Sequence, residues 1–379
     1  MELSFENIRP YNPEELHDAF TRLIEEPAFL QLVQKYIPQV PIKDLCAQLL
    51  NIRTATAFQK TFIVPLLYAI EAKHSKGITA SGIQNTNHPA LLISNHRDIV
   101  MDSALMDLVL LRAGSDSVEI GIGDNLLATP WIRTLVRINK SFIVQRNLPI
   151  REMPKAFLEL SSYIRHAITT KQTSVWIAQR EGRAKDSNDR TQESILKMFA
   201  LSGTKSFIDN LKDLNICPVT ISYEHDPCDY LKAKEFQQKR DDKDFTKSPQ
   251  DDLLSMKTGI LGDKGHVHFT FTASINKELE QIATSIDKRK DQIEAIAQLI
   301  DHHIHSNYVI YPINKVAYDE LLNTTRFTTE VTSEEHASVK QYLDGQLSKI
   351  ELPNKDSKFL RHKLLEIYAN PLINYLAAQ

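Results

Sequence analysis

The segment LLISNHRDIVMD, residues 91–102, places a histidine and two acids after a short apolar run. The run predicts a buried strand that ends at Ser94, with His96 two residues beyond it. An imidazole acts as a general base when one ring nitrogen is free and an acceptor holds the other. Asp102, in the first turns of the following helix, is the predicted acceptor, and Asp98, a predicted helix N-cap, is the alternative. A strand-end histidine that caps a carbonyl beside two unrelated acids would give the same segment.

Two further strand ends carry side chains suited to an anion. Arg146 follows the apolar run SFIVQ, and Glu181, Gly182, Arg183 and Lys185 follow the run VWIA. Arginine offers a forked donor that matches a phosphate, and glycine lets the backbone approach a ligand closely. Taken alone, each segment also suits a solvated loop of mixed charge.

The elements around these residues alternate between strand and helix. Strands are predicted at 90–94, 118–122, 142–145, 174–178, 217–222 and 266–273, with helices at 99–112, 125–138, 153–169 and 192–211. This alternation predicts an α/β fold, with a mostly parallel sheet flanked by helices. Reactive groups in such sheets collect at the carboxyl ends of the strands, where all the candidate residues lie.

Helical patterns flank this α/β region on both sides. They cover 12–75 before it and 287–305, 318–322, 334–350 and 358–378 towards the end, whereas the charged stretch 232–252 predicts a helix end that runs into a solvated loop. The expected organisation is an N-terminal helical region (1–80), an α/β domain (81–315) and C-terminal helices (316–379).

Composition narrows the class of protein. The net charge of −3 gives no reason to expect nucleic acid as a partner. Cys46, Cys217 and Cys228 are well separated, which favours a reducing compartment over a disulfide framework or a zinc site.

The longest apolar stretch, 62–70, is far shorter than the roughly 20 residues of a membrane span, so contact with a membrane is expected to be peripheral. Helix packing is the favoured interpretation of 125–140, with membrane contact there or at the C-terminal helix as the alternative.

The ordered set of motifs resembles a known family. The four blocks are His96 with Asp102, Phe142-Ile143 with Arg146, Glu181-Gly182-Arg183, and Pro218 in a strand that suits a pocket wall. They are similar, over roughly residues 85 to 225, to the phospholipid/glycerol acyltransferases, which include the lysophosphatidic acid and glycerol-3-phosphate acyltransferases.

Three departures make this a divergent branch of the family. Five residues separate His96 from Asp102, where the family has four. The third block reads Arg180-Glu181-Gly182-Arg183-Ala184 in place of P-E-G-T-R, and Lys140 stands where a glycine is usual. The longer spacing keeps Asp98 open as the residue that orients the histidine.

The resemblance implies roles for these residues. His96 is expected to be the catalytic base and Asp102 its partner. Arg146, Glu181, Gly182 and Arg183 are expected to contact the substrate, with Lys185 sharing that task. No metal and no cofactor is expected, because an acyl-CoA or an acyl-carrier protein enters as a co-substrate.

The predicted function is O-acyl transfer from that thioester to the hydroxyl of 1-acylglycerol-3-phosphate, in phospholipid synthesis. The expected partners are this acceptor, the donor and a membrane surface, and the expected location is cytoplasmic, peripheral on the inner face of the membrane. Glycerol-3-phosphate or another lyso-lipid is the alternative acceptor. A non-catalytic lipid-surface binding protein with the same fold is the alternative from another class.

Overall fold

Seven strands form one sheet in the residues that the computed structural model describes, 4–36, 40–127, 129–146 and 148–379. The strands are β1 (Gly77–Ser81), β2 (Leu91–Ser94), β3 (Glu119–Gly123), β4 (Ser141–Val144), β5 (Val175–Ala178), β6 (Cys217–Tyr223) and β7 (His266–Phe271). Their order is β1-β7-β6-β2-β5-β3-β4. Only the β6–β7 pairing is antiparallel, so the predicted α/β fold with a mostly parallel sheet is confirmed.

Helices lie on both faces of the sheet and at both ends of the chain. They are α1 (Leu16–Ile24), α2 (Pro27–Tyr36), α3 (Ile42–Asn51), α4 (Ala55–Phe58), α5 (Val64–His74), α6 (Met101–Arg112), α7 (Pro130–Ile138), α8 (Met153–Thr169), α9 (Glu193–Phe199), α10 (Phe207–Lys212), α11 (Asp229–Asp241), α12 (Pro249–Leu261), α13 (Asn276–Ser285), α14 (Arg289–Ser306), α15 (Pro312–Leu322), α16 (Ser333–Ser348) and α17 (Ser357–Ala377). A π-helical turn, Gln59–Ile63, joins α4 to α5.

The sheet separates two hydrophobic clusters. Leu91 and Ile93 of β2 belong to one cluster and Leu92 to the other, as the alternation of side chains along a strand requires. Because both faces are covered, the central strands are apolar along their whole length, which made them recognisable in the sequence. The buried sheet is therefore a rigid support for the residues that follow its strands.

The predicted helix at 192–211 is two helices, α9 and α10, and the single-helix prediction is wrong. Gly203 lies between them, and a Cβ atom there would come 1.9 Å from the Asn210 side chain. That carboxamide accepts from Lys205 N at 3.0 Å and donates to the carbonyls of Ala200 and Lys205. The chain turns here because Asn210 takes over the hydrogen bonds that a continuous helix would make.

The solvated loop predicted at 232–252 is confined to 242–248, because α11 continues to Asp241 and α12 begins at Pro249. Ser248 and Asp251 form a capping box, in which each side chain accepts from the backbone N–H of the other. Together with a proline at the first helical position, this motif was a helix-start signal that the charge pattern obscured. Strand β1 and helix α13 also lay outside the predicted elements.

Helix α7 and the C-terminal helix are used for internal packing. Trp131 of α7 lies against Phe29, with ring centroids 6.1 Å apart, and Arg137 donates to the carbonyls of Arg9 and Glu6. Most apolar side chains of α17 are buried against α11, α15 and α16. The favoured interpretation of α7 as a packing helix is thus correct. Trp131 and Leu135 pack on the N-terminal helices, and Ile132 and Val136 pack on the hydrophobic cluster of the sheet.

The expected division of the chain at 80/81 and 315/316 stays a prediction. The structure places these two positions inside β1 and α15.

No helix in the described part of the chain combines the length and the apolar composition that crossing a membrane requires.

Two helical glycines test how closely α12 packs on the segment after His96. A Cβ atom on Gly259 of α12 would lie 1.9 Å from Asp98 Oδ2, whereas one on Gly345 of α16 would meet nothing within 4 Å. We expect Gly259→Ala to lower the free energy of unfolding by about 1–3 kcal/mol through overpacking. Gly345→Ala should raise it by up to about 1 kcal/mol. Urea unfolding measures both, and equal effects would show that α12 does not rest on Asp98.

Candidate active site

His96 and Asp102 form a hydrogen-bonded pair beyond the carboxyl end of β2. His96 Nδ1 lies 2.7 Å from Asp102 Oδ2, and the imidazole packs edge-on against Trp176 at 5.7 Å between ring centroids. The Asp102 side chain is buried, whereas 15% of the His96 side chain is exposed. His96 Nε2 makes no hydrogen bond to any described residue, so one ring nitrogen is held and the other is free.

The longer spacing between His96 and Asp102 is absorbed before α6 begins. Asp102 Oδ2 also accepts from the backbone N–H groups of Arg97, at 2.6 Å, and Asp98, at 3.0 Å. The chain thus wraps around the carboxylate through residues 97–100 and becomes helical at Met101. The extra residue lies in this turn and does not separate the pair.

Asp98 has a different position. Its Oδ1 accepts from Val100 N at 2.9 Å and Met101 N at 2.8 Å, so it closes the turn that leads into α6, although the N-cap residue is Val100 and not Asp98 as the sequence predicted. Of the two acids that the sequence left open, the structure brings Asp102 to the imidazole and keeps Asp98 at the helix end.

The two carboxylates have pKa values shifted in opposite directions. Burial alone would raise the pKa of Asp102, but the hydrogen bond and charge of His96, with the two backbone N–H groups, lower it below its usual value. Burial raises the pKa of Asp98, and the nearby charge of Asp102 raises it further. An ionised Asp102 can only accept, so His96 carries its proton on Nδ1 and Nε2 is the basic nitrogen.

Arg146 reaches the same edge of the sheet from β4. Its guanidinium lies 4.0 Å from the Glu181 carboxylate, and its backbone N–H donates to Asp124 at 3.1 Å. A Cβ atom on Gly123 would lie 2.9 Å from Arg146 Nε, so the absence of a side chain there leaves room for the arginine. The structure therefore brings two of the predicted substrate contacts, Arg146 and Glu181, together.

The turn after β5 carries cations without partners. Gly182 has a φ of +67°, which glycine adopts at little cost, and this conformation turns the chain between Glu181 and Arg183. Arg183 Nη1 and Arg180 Nε are buried and have no hydrogen-bond partner among the described residues. Buried guanidinium nitrogens without acceptors favour a bound anion.

Residues 77–222 match the family model described as Acyltransferase, that of the glycerolipid acyltransferases. The chain carries an acyltransferase-family domain. This match confirms the family resemblance seen in the four motifs. No protein of curated function matches the chain. Helices α11 to α17 and strand β7 lie outside the matched residues.

Lys185 is engaged elsewhere in the acyltransferase domain. Its ammonium group bonds to Glu235 of α11, which also pairs with Lys239 at 3.0 Å. Burial lowers the pKa of Lys185 to about 8, although Glu235 acts in the opposite direction. Its charge is therefore paired with a carboxylate, whereas Arg183 makes no ion pair with the described residues.

Pro218 lies away from the open edge of the domain. It is the second residue of β6, pairs with Ile93 and accepts from Thr272 N at 3.0 Å through its carbonyl. Its expected position in a pocket wall stays a prediction, and the β6 residue that bonds to Asn95, next to His96, is Ile221.

Side chains far apart in sequence hold the turn after His96 on both sides. The Arg97 guanidinium makes two contacts with Asp189, at 2.9 and 2.7 Å, and Lys232 donates to Arg97 O at 2.9 Å while pairing with Asp226. Arg97 stood next to His96 in the sequence, but its partners are 92 and 135 residues away. No local signal could have identified them.

Tyr223, the last residue of β6, is a further group near the pair. Its hydroxyl and Asp102 Oδ1 are both buried without a hydrogen-bond partner in the described part of the chain. Burial, followed by the charge of Asp102, raises the pKa of Tyr223 well above its usual value. The hydroxyl therefore stays protonated beside the carboxylate. The signal that could have found it is its position at the same end of a neighbouring strand.

The opposite pKa shifts of Asp102 and Asp98 predict opposite pH dependences of stability. The folded-state pKa of Asp102 lies below 3.8, so its stabilisation is present above that pH and is lost as the pH falls through the folded value. The folded-state pKa of Asp98 lies above 3.8, so its contribution is lost as the pH rises through the raised value. Asp102→Asn should cost about 1–3 kcal/mol at neutral pH, because charge-assisted hydrogen bonds are lost.

Urea unfolding of both variants from about pH 3 to about pH 8 measures this difference. The deficit of Asp102→Asn should grow as the pH rises, and that of Asp98→Asn should shrink. The same pH trend in both variants would contradict the assignment of the two carboxylates.

Proposed function

We propose that this chain is an O-acyltransferase that moves a fatty acyl group from an acyl-CoA or acyl-carrier-protein thioester to the hydroxyl of 1-acylglycerol-3-phosphate, with His96 as general base. The family domain supports a general acyltransferase role. The acceptor, the donor and the role of His96 are the proposal.

The observation that supports it most directly is the state of the imidazole. Nδ1 is held 2.7 Å from an acid with a lowered pKa, and Nε2 has no partner among the described residues. An ionised carboxylate fixes the tautomer and stabilises the imidazolium that forms when Nε2 takes a proton.

The cations near this pair suit a phosphate on the acceptor. Arg183 has an unpaired buried nitrogen, and Arg146 lies on the neighbouring loop with only Glu181 beside it. A phosphate bound to Arg183 would hold the acceptor at the edge of the sheet, where the histidine also lies, and Arg146 would contact another part of the substrate. Glu181 is mostly exposed and suits a hydroxyl of the glycerol as well as the arginine.

The proposed reaction is a direct transfer. His96 Nε2 removes the proton of the acceptor hydroxyl as its oxygen attacks the thioester carbonyl. The new C–O bond forms, the C–S bond breaks, and the thiolate leaves with the electron pair and takes up a proton. Holding the two substrates together contributes much of the rate, because a thiolate is a good leaving group.

Exposed apolar side chains support peripheral contact with a membrane, on the inner face in our proposal. Ile150, which is 86% exposed, follows Arg146 by four residues, and Phe157 and Leu158 of α8 are also exposed. Such side chains beside the acceptor site would rest on the lipid surface that supplies a one-chain acceptor. This position of the site is consistent with a role in phospholipid synthesis.

Removal of the imidazole separates catalysis from simple lipid binding. We expect His96→Ala to lower the turnover of thioester by about 100- to 10,000-fold, because it removes the general base. His88→Ala is the matched control, since His88 is exposed at the opposite end of β2. Thiol release from acyl-CoA measures turnover, with 1-acylglycerol-3-phosphate and glycerol-3-phosphate supplied in parallel. A non-catalytic lipid-binding protein would show no release in wild type and unchanged lipid binding in the variant.

Substitutions of Arg183 and Lys185 should change the KM for the acceptor by different factors. Arg183→Met should raise the KM for the acceptor by about tenfold or more, the value of a charge-assisted hydrogen bond. Lys185→Met should change that KM by less than about threefold, because its charge is balanced by Glu235. Steady-state kinetics with a saturating donor measure both values. Equal increases in KM would mean that Lys185 also reaches the phosphate.

A further inference from the structure

A cleft that is partly open to solvent, with about 450 Å³ of empty space, lies between the turn after β5 and helices α11 and α12. We call it the α11–α12 pocket. Its lining includes Arg183, Lys232, Lys234, Phe245, Lys247 and Leu254. Apart from Arg183, these residues follow the part of the chain that matches the acyltransferase family. Most of the pocket therefore lies outside the matched residues.

The pocket borders the turn that holds His96. Lys232 donates to Arg97 O at 2.9 Å, and the Cys228 thiol, which also lines the pocket, lies 3.8 Å from Asp98 Oδ2. Gly259 of α12 packs directly on the Asp98 carboxylate. A ligand in the pocket would thus lie next to the residues that follow the proposed base.

The lining has an excess of positive charge. Four of its side chains are basic, and only Glu235 and Asp251 are acidic. Lys232 is paired with Asp226, and Lys247 with Asp252 at 2.7 Å. Arg183 Nη1 has no hydrogen-bond partner, and Lys234 makes no ion pair with the described residues. The pocket therefore holds two basic groups that an anion could engage.

An apolar wall adjoins these cations. Leu231, Phe245 and Leu254 line the pocket, and Leu254 is 46% exposed. A phosphate alone would leave this wall in contact with water. A phosphate that carries an acyl chain would engage the cations and cover the apolar side chains, which is favourable in proportion to the apolar area removed from water.

We propose that the α11–α12 pocket binds a one-chain acceptor, with the phosphate against Arg183 and Lys234 and the first part of the acyl chain against Phe245 and Leu254. The pocket thereby makes the enzyme prefer 1-acylglycerol-3-phosphate to glycerol-3-phosphate. This inference rests on the proposed function, because it names the acceptor of the same site. The head group and the start of the chain lie in the pocket, and the rest of the chain stays in the lipid surface.

Two adjacent leucines of α12 give a matched test. Leu254 lines the pocket, whereas Leu253, which is 58% exposed, does not. Leu254→Asn should raise the KM for 1-acylglycerol-3-phosphate roughly three- to tenfold, which corresponds to the loss of one or two buried methylene contacts. The KM for glycerol-3-phosphate should stay unchanged, and Leu253→Asn should change neither value.

Lysine substitutions test the phosphate end of the pocket. Lys234→Met should raise the KM for both acceptors by about three- to tenfold, because both carry the phosphate. Lys243→Met removes an exposed charge from the neighbouring loop and should leave both values unchanged. Equal effects of Leu254→Asn on the two acceptors, or no effect of Lys234→Met on either, would overturn the assignment of the pocket.

A binding measurement keeps this inference separate from the proposed function. If wild type acylates glycerol-3-phosphate but not the one-chain acceptor, the enzyme proposal stands and the pocket assignment fails. If wild type acylates neither, the proposed function fails, and calorimetric titration with hexanoyl-glycerol-3-phosphate decides about the pocket. Binding that Leu254→Asn weakens and Leu253→Asn preserves would still support the pocket, whereas no binding would end the proposal.

Discussion

The buried carboxylate of Asp102 is the interaction on which the candidate active site depends. A single oxygen of this side chain accepts from the His96 imidazole and from two backbone N–H groups of the turn. A buried charge is stabilised by the hydrogen bonds that it accepts, so these three bonds hold the turn and the imidazole in one arrangement. Because of this coupling, His96 and Asp102 stay hydrogen-bonded although five residues separate them where the family has four.

The positive charges at the edge of the sheet divide into two groups. Lys185, Lys232 and Arg97 are paired with Glu235, Asp226 and Asp189, and these contacts join distant segments to the turn around His96. Arg146 has only the distant Glu181 carboxylate, and Arg183 has no ion pair among the described residues. The basic residues that have a close carboxylate partner therefore support the site, and those without one are available to a ligand. Their position near strand ends does not distinguish the two groups.

The segments beyond the matched family domain contribute to the site as well as to stability. Helix α11 supplies Glu235 and Lys232, and α12 approaches Asp98 so closely that only glycine fits at position 259. The C-terminal helices pack on α11 and hold it in place. The edge of the sheet is consequently enclosed on one side by helices that lie outside the matched residues.

The sequence by itself determined the α/β architecture and the end of the sheet at which the candidate residues lie. Buried parallel strands are short apolar runs, and the residues that follow them share one edge, so His96, Arg146 and Arg183 could be placed together before any coordinates. Only the tertiary structure decided between Asp102 and Asp98, because a turn of a few residues can present either acid to the imidazole. The tertiary structure also showed that Lys185 bonds to Glu235 and that Arg97 bonds to Asp189. These partners are 50 and 92 residues apart, so no local pattern could have paired them. Local patterns report burial and periodicity, whereas the pairing of buried charges depends on which distant segments the fold brings into contact.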